Sequence, residues 1–215
     1  NHRILESHRL MKAGLWRQES ALGSELNEKT WGIVGLGRIG TRVAELAKAF
    51  KMNVIVYDPY LNDDVFEKYQ TKRVSYDELL KLSDFISFHV PKTKETNKML
   101  NAPHFESINR DVFIVNTSRG TVIDEDSLVK ALENHWIKGV ALDVFEKEPL
   151  PRNSKLLNFP EVLLTPHIGA YTNDAFERAS EEAVLKLILF FRDGTTSDSL
   201  PPKAAWYNGS HFSFV

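Results

Sequence analysis

Short, mainly apolar runs alternate along the chain with longer amphipathic stretches. The apolar runs predict buried strands at residues 30–35, 53–57, 85–90, 112–115, 139–142 and 162–164. The amphipathic stretches predict helices at residues 41–51, 77–82, 102–108, 127–134 and 174–192. Strands that are apolar on both faces and separated by helices are typical of a parallel sheet covered on both sides. The pattern therefore predicts an α/β fold with a doubly wound parallel sheet.

The helical stretches also predict which side chains face the core. Between residues 41 and 51, four apolar side chains are expected to point inward: Val43, Ala44, Leu46 and Ala47. The longest helix is charged on one side and apolar on the other around Ser180–Leu185. We expect its apolar side to pack on the core or, as the second possibility, to form a dimer surface. Residues 196–215 combine Ser, Pro, Asn and Gly with scattered aromatic residues, which predicts an irregular tail.

Composition narrows the possible partners and compartments. The formal net charge is −2, so neither nucleic acid nor an anionic membrane meets a generalised basic face. The chain has no cysteine, which removes disulfides and thiolate chemistry, and its histidines show no metal-ligand spacing. No apolar run approaches the ~18–20 residues of a membrane span, and no secretory segment opens the sequence. We therefore expect a cytoplasmic protein without a metal.

A glycine-rich loop follows the first predicted strand. It reads Gly35-Leu36-Gly37-Arg38-Ile39-Gly40 and opens a predicted helix, the context that a dinucleotide-binding loop requires. Gly35 permits a tight turn, Gly37 lets the backbone approach a pyrophosphate, and Gly40 lets the helix pack close to the strand. The amides of Arg38 and Ile39 at the helix N-terminus are then expected to face the phosphates.

Asp58 ends the second predicted strand, about twenty residues after the last glycine. A carboxylate at that place accepts hydrogen bonds from the adenosine ribose hydroxyls and repels a 2′-phosphate. No arginine occurs in the following residues 59–61, so NAD is expected rather than NADP. The alternative is that Asp58 only caps the turn before Pro59. Together with the glycine loop, Asp58 predicts a Rossmann-type NAD-binding domain.

Three further segments follow predicted strands, where ligands bind in open α/β sheets. They are residues 115–120 (VNTSRG), 142–149 (LDVFEKEP) and 165–170 (TPHIGA). Together with the glycine loop, the Asp58-Pro59 strand end and the His89-Val90-Pro91 segment, they resemble the D-isomer-specific 2-hydroxyacid dehydrogenase family in sequence and in order. The resemblance extends from about residue 14 to about residue 194. Within that family, residues 57–60 and 167–172 are most similar to phosphoglycerate dehydrogenases.

The resemblance implies NAD-dependent interconversion of a D-2-hydroxy acid and a 2-oxo acid, with 3-phosphoglycerate as the favoured substrate. It implies catalytic roles for Arg119, Glu148 and His167, and their chemistry agrees. An arginine fork can hold the substrate carboxylate, and a histidine with a pKa of about 6.5 can donate a proton to the nascent alkoxide. Glu148 paired with His167 would orient the ring. Taken singly, the three could instead be a surface turn charge, a loop acid and a helix-entry residue.

The resemblance also implies a set of residues that line the cofactor. Besides the loop at 35–40 and Asp58, the set comprises His89, Val90, Pro91, Thr96, Thr117, Ser118, Arg119, Asp143, His167, Gly169 and Ala170. Many relatives carry glycine in place of Ala170, and we expect little effect from that difference. The remaining histidines, His2, His8, His104, His135 and His211, are expected at the surface.

Members of the family carry a substrate-binding domain that is formed largely by a segment preceding the NAD-binding domain. Here the sequence begins at Asn1, and little more than a helical stretch precedes the glycine loop, so we expect that segment to be missing. The expected division is a linking helix segment from the substrate domain at 1–28, the NAD-binding domain at 29–170, a C-terminal helix at 171–195 and the tail at 196–215.

The resemblance also bears on the oligomeric state and on the alternatives for function. The resemblance implies a homodimer that forms through the NAD-binding domain. It leaves two alternatives for function, an NAD(H)-binding regulatory module of the corepressor kind and another family activity such as glyoxylate or hydroxypyruvate reduction. The catalytic residues do not separate these alternatives, because corepressor relatives keep them too.

Overall fold

A computed structural model of the chain describes residues 4–16 and 23–195. Within them, seven strands form one parallel sheet in the order β3-β2-β1-β4-β5-β6-β7. The strands are β1 (Thr30–Val34), β2 (Asn53–Tyr57), β3 (Lys72–Arg73), β4 (Phe85–Phe88), β5 (Phe113–Asn116), β6 (Gly139–Leu142) and β7 (Val162–Leu164). The predicted doubly wound parallel sheet is confirmed. The tail expected at 196–215 lies outside the described residues, as does part of the segment expected at 1–28.

Seven α-helices are present in the same described residues. They are α1 (Ile4–Lys12), α2 (Arg38–Ala49), α3 (Asp63–Lys68), α4 (Tyr76–Leu82), α5 (Ala102–Ser107), α6 (Glu125–Glu133) and α7 (Asn173–Asp193). The sequence pattern missed α3 and β3. Helix α3 has only six residues, and β3 consists of two exposed basic residues, so neither has an apolar periodicity to reveal it.

Two core clusters lie on opposite faces of the sheet. In β1, Ile33 belongs to one cluster and Val34 to the other, and in β2 the neighbours Val54 and Ile55 are divided in the same way. Successive side chains of a strand point to opposite faces. One cluster includes residues of α2 and α3, and the larger one includes residues of α4, α5 and α6. Both faces are therefore covered, as the mainly apolar strands require.

Helix α2 corrects two sequence expectations. It begins at Arg38 rather than at residue 41, because the end of the glycine loop already forms the first helical turn. Ala44 and Ala47 are buried as predicted, whereas Leu46 is exposed. At 3.6 residues per turn, Leu46 lies about 200° around the helix from Ala44, so both cannot face the sheet.

Helix α7 contradicts the expectation of core packing. It begins after Thr172, whose hydroxyl accepts a hydrogen bond from the Ala175 N–H at 3.2 Å, and it ends at Gly194 with a φ of 73°. None of its side chains is buried, and Val184, Leu187, Ile188 and Phe191 form an exposed apolar stripe. Nothing among residues 4–16 and 23–195 covers this stripe. No helix in those residues is long and apolar enough to cross a membrane.

A close contact between Gly40 and Gly35 determines how α2 meets β1. A Cβ atom added to Gly40 would lie 2.0 Å from the Gly35 carbonyl oxygen. A Cβ atom added to Gly37 would have no heavy atom within 4 Å, and the backbone there is extended, with a φ of −76°. Gly40 is therefore required by packing, whereas nothing in the fold itself requires a glycine at position 37.

We expect Gly40→Ala to lower the free energy of unfolding by about 1–3 kcal/mol, because the new methyl group collides with backbone rather than with a flexible side chain. The matched control is Gly37→Ser, which adds an N-cap side chain in open space and should leave stability unchanged or slightly higher. Urea unfolding of the two variants checks the difference. Equal stability of Gly40→Ala and the parent chain would contradict the packing argument.

Candidate cofactor and catalytic site

Six adjacent strands end on one line of the sheet. Val34 is paired with both Tyr57 and Phe88, and the line continues through Asn116, Leu142 and Leu164. The residues that follow these strand ends are Gly35, Asp58, His89, Thr117, Asp143 and Thr165. Five of the six belong to the predicted site. Because parallel strands all end at the same edge, segments scattered over 130 residues of sequence begin side by side.

The glycine loop presents an open helix N-terminus. Gly35 has a φ of +93°, and a Cβ atom there would lie 2.9 Å from the His89 carbonyl oxygen. Gly37 is exposed and unobstructed, and no side chain in the described part of the chain caps α2. The first N–H groups of α2, beginning at Arg38 and Ile39, are therefore available to an anion. The three glycine positions fit a bound pyrophosphate.

Asp58 lies beside this loop and also shapes its own turn. Its Oδ2 atom accepts a hydrogen bond from the Leu36 N–H at 3.0 Å, and its Oδ1 atom accepts one from the Tyr60 N–H at 3.0 Å. An open cavity of about 440 Å³ borders it, lined also by Tyr57 and Arg73. The turn-capping role considered from the sequence is present. It coexists with a location beside the glycine loop, which Asp58 contacts through the Leu36 N–H.

The segment after β4 packs against the glycine loop. The His89 N–H donates to the Val34 carbonyl at 2.8 Å, and the Val90 side chain would lie 2.9 Å from a Cβ atom on Gly35. Burial lowers the pKa of His89 to about 4, so its ring is neutral at physiological pH. The Thr96 hydroxyl donates to the Pro91 carbonyl at 2.6 Å. The Thr96 side chain therefore stabilises the conformation of the loop to which it belongs.

The loop after β5 is held by the buried side chain of Asn116. Its Oδ1 atom accepts hydrogen bonds from the Ser118 N–H at 3.0 Å and the Ser118 hydroxyl at 2.8 Å, and its Nδ2 atom donates to the Arg119 carbonyl at 3.0 Å. Thr117 and Arg119 remain exposed. The Arg119 guanidinium donates to the Ser118 carbonyl at 2.6 Å, and it is accessible to a ligand carboxylate.

Asp143 is a buried carboxylate that holds the loop after β7. It is only 6% exposed, and it accepts hydrogen bonds from the Thr165 hydroxyl at 2.5 Å, the Ile168 N–H at 2.8 Å and the Gly169 N–H at 2.9 Å. Burial alone raises the pKa of Asp143, but these hydrogen bonds and the nearby His167 outweigh burial, and the pKa lies below its usual 3.8. Asp143 is therefore an ionised support beneath residues 165–169.

The loop held by Asp143 brings His167 to Glu148. The Nδ1 atom of His167 lies 2.8 Å from Oε2 of Glu148, and Oε1 of Glu148 accepts a hydrogen bond from the Phe145 N–H at 3.0 Å. Partial burial raises the pKa of Glu148, but the bonds from His167 and Phe145 N–H outweigh it, so the pKa lies below 4.5. The predicted His–Glu pair is present. The His167 side chain is 53% exposed, which leaves it accessible to a substrate.

The three residues expected to be catalytic follow three neighbouring strands, β5, β6 and β7. The structure brings Glu148 and His167 into contact, and no hydrogen bond or ion pair joins either to Arg119 in the described residues. A cation and a proton-donating pair on adjacent loops can hold a carboxylate and protonate a neighbouring carbonyl oxygen. No group of three or more potential metal ligands occurs in residues 4–16 and 23–195.

The sequence reasoning missed the polar residues that support the site from within. Asn116, Ser87 and Thr165 fall in or beside apolar strands, and only their polarity inside a predicted strand or at its end could have marked them. The expectation for His104 was wrong, because it is half-buried and lies edge-on to Tyr76. The other surface predictions hold for His8 and His135, and His2 and His211 lie outside the described residues.

Comparisons with known proteins agree with this geometry. Residues 1–169 match the family model described as "D-isomer specific 2-hydroxyacid dehydrogenase, NAD binding domain". The chain is 39% identical over 194 residues to a glyoxylate reductase of Korarchaeum cryptofilum and 44% identical over 165 residues to a D-3-phosphoglycerate dehydrogenase of Bacillus subtilis. These alignments cover 88% and 77% of this chain, but only 58% and 31% of the two relatives.

Solved structures give the same result. A glyoxylate reductase from Paecilomyes thermophila superposes with a TM-score of 0.84 and 34% identity, covering 93% of this chain and 60% of that chain. A D-lactate dehydrogenase from Aquifex aeolicus, complexed with NAD and lactic acid, has a TM-score of 0.80 and 36% identity, covering 90% of this chain and 62% of that one. The chain therefore spans about three fifths of these two structures.

The depressed pKa of Asp143 predicts how stability depends on pH. A carboxyl group whose pKa is lower in the folded than in the unfolded state stabilises the fold above its unfolded pKa, and this contribution is lost as the pH falls through the folded pKa. The free energy of unfolding should therefore decrease as the pH is lowered past about 5. Asp143→Asn should be less stable at neutral pH and lose less on acidification, because its amide mimics the protonated acid.

Urea unfolding between neutral and acidic pH checks this prediction, with Asp64→Asn as the matched exposed control. The control should keep the full acid sensitivity of the parent chain. An Asp143→Asn variant as stable as the parent at neutral pH would show that the carboxylate does not support the loop.

Proposed function

Because the chain belongs to the D-isomer specific 2-hydroxyacid dehydrogenase family and contains its NAD-binding domain, we propose that it interconverts a D-2-hydroxy acid and a 2-oxo acid with NAD as the cofactor. The observation that carries the proposal is the His167–Glu148 pair, 2.8 Å apart, at the edge that bears the open glycine loop. A proton donor and a dinucleotide site on one edge are what reduction of a carbonyl group requires.

In this proposal the glycine loop and Asp58 hold NAD. Gly37 and the first amides of α2, at Arg38 and Ile39, receive the pyrophosphate, and Asp58 receives the adenosine ribose. The unobstructed space at Gly37 supports this assignment. The Asp58 carboxylate repels a 2′-phosphate, which favours NAD over NADP. Thr117, Ser118 and Asp143 are assigned to the nicotinamide side. The remaining cofactor contacts are assigned to His89, Val90, Pro91, Thr96, Arg119, His167, Gly169 and Ala170.

The chemistry divides among three side chains. Bound NADH supplies the hydride. The Arg119 guanidinium holds the carboxylate of the 2-oxo acid and polarises the neighbouring carbonyl. His167, in its protonated form, gives a proton to the carbonyl oxygen, so that the product is the 2-hydroxy acid. Glu148 fixes the ring through Nδ1, which directs Nε2 to the substrate.

The substrate that we favour is 3-phosphoglycerate with its oxidised partner 3-phosphohydroxypyruvate. Support comes from residues 57–60 and 167–172, and from the 44% identity to the Bacillus subtilis D-3-phosphoglycerate dehydrogenase. Glyoxylate or hydroxypyruvate reduction is the alternative, supported by the 39% identity to the Korarchaeum cryptofilum glyoxylate reductase. Consumption of NADH by the full chain with 3-phosphohydroxypyruvate, glyoxylate, hydroxypyruvate and pyruvate separates the two.

We further propose that residues 1–28 and helix α7 connect the NAD-binding domain at 29–170 to a substrate-binding domain. The exposed apolar stripe of α7 supports this division, because a contiguous exposed apolar surface is typical of a contact with another structural unit. We also propose a homodimer formed through the NAD-binding domain and a cytoplasmic location, the latter supported by the absence of cysteine. Analytical ultracentrifugation tests the dimer.

His167→Ala should lower turnover of the active 2-oxo acid about 10²–10⁴-fold, because the proton donor is lost, while NADH binding changes little. The matched control is His135→Ala, since His135 is also exposed and also has a positive φ (53° against 54° for His167). Steady-state kinetics and NADH fluorescence titration give the two readouts. Unchanged turnover in His167→Ala would remove the catalytic role, and NADH binding by the parent chain without turnover of any acid would favour a binding module.

Asp58→Ala should reduce the preference for NADH over NADPH, because the carboxylate that repels a 2′-phosphate is removed. Dissociation constants for both cofactors check the change. Asp64→Ala is the control, as an exposed acid on α3 that lies outside the proposed site. If Asp58→Ala and Asp64→Ala both kept the parent preference for NADH, Asp58 would not be the residue that discriminates between the two cofactors.

A further inference from the structure

Trp31 and Ser87, which the proposed mechanism does not use, form a hydrogen-bonded series with His89 of the proposed cofactor site. The indole Nε1 of Trp31, on β1, lies 2.8 Å from the Oγ of Ser87, on β4. The same Oγ lies 2.9 Å from Nε2 of His89, directly after β4. Ser87 and His89 are two residues apart, so they share one face of the strand. We refer to Trp31, Ser87 and His89 as the indole–hydroxyl–imidazole series.

The direction of the protons in this series follows from the donors that it contains. An indole N–H can only donate, so the Ser87 oxygen accepts from Trp31. The Ser87 side chain is 1% exposed, and within residues 4–16 and 23–195 its hydroxyl has no other hydrogen-bond partner than Trp31 and His89. If Nε2 of His89 also donated to Ser87, the hydroxyl proton would be buried without an acceptor, which is costly. The hydroxyl therefore donates to Nε2.

We propose that Ser87, oriented by Trp31, is a positioning residue that fixes His89 in the tautomer that carries its proton on Nδ1. The imidazole nitrogen that does not face Ser87 is then a donor, and not an acceptor, for a bound ligand. A dinucleotide presents mainly acceptor oxygens there, on its phosphates and riboses. This last step rests on the proposed function, whereas the tautomer itself does not.

The surroundings of His89 make its tautomer matter. Burial keeps the ring neutral at physiological pH, so one nitrogen is a donor and the other an acceptor. Without Ser87 either nitrogen could carry the proton, and a ligand oxygen would meet a donor in only part of the molecules. The backbone of His89 packs against Gly35, so its ring belongs to a segment that is itself held at the glycine loop.

The ¹⁵N chemical shifts of the imidazole nitrogens in the full chain without cofactor test the tautomer, with His89→Gln identifying the signals. The parent chain should show a protonated Nδ1 and an unprotonated Nε2. Ser87→Ala should shift the signals toward the Nε2-protonated form, and Trp31→Phe, which keeps an aromatic ring, should weaken the preference. Ser83→Ala is the matched control, because Ser83 is equally buried but donates to the Leu79 carbonyl.

A parent chain with the proton on Nε2 would overturn the proposal without any variant having to fold, and so would a Ser87→Ala variant with unchanged shifts. Fluorescence titration then tests the connection to the cofactor. NADH should bind about three- to tenfold more weakly to Ser87→Ala, as expected for one lost hydrogen bond, and with unchanged affinity to Ser83→Ala. An altered tautomer with unaltered NADH affinity would remove the cofactor role. Absence of NADH binding by the parent chain would overturn the proposed function and leave the tautomer result standing.

Discussion

Parallel pairing of the strands is the constraint on which the whole site depends. Six strands end on one register line that runs from Tyr57 through Val34 and Phe88 to Leu164. Each strand needs a helix or a long loop to return to the start of the next one, and every return begins at the same edge. Site residues far apart in sequence therefore meet without any direct pairing between them, because the sheet aligns the first residue of each loop.

Buried polar side chains convert this alignment into fixed geometry. Asp143 accepts three hydrogen bonds from the loop that bears His167, and Asn116 makes three with the loop that bears Arg119. Ser87 is likewise buried and is hydrogen-bonded to the His89 ring. In an apolar interior, such groups are stable only when their hydrogen bonds are satisfied, so each restricts its loop to one conformation. The more exposed groups of the site, His167 and Arg119, are therefore held in place by buried polar side chains.

Burial and hydrogen bonding together determine the charge states of three titratable groups at this edge. Asp143 and Glu148 both have a lowered pKa, because hydrogen bonds to the ionised form outweigh burial. His89 has a lowered pKa because burial disfavours its charged form. At this edge, the ionised carboxylates of Asp143 and Glu148 support His167 and its loop, and the neutral imidazole of His89 lies near the glycine loop. Both conditions persist across the neutral pH range, since none of these three pKa values lies near 7.

The amino-acid sequence by itself determined the parallel α/β class, most of the strands and the glycine loop, and its resemblance to the family implied the His167–Glu148 pair. Apolar strand runs and glycine spacing are local signals, because they reflect burial and backbone sterics at the residues concerned. Only the tertiary structure decided that Leu46 and α7 are exposed, that α3 and β3 exist, and that Ser87, Asn116 and Asp143 support the site. Those outcomes depend on what packs against a residue from elsewhere in the chain, and periodicity along the sequence does not contain that information.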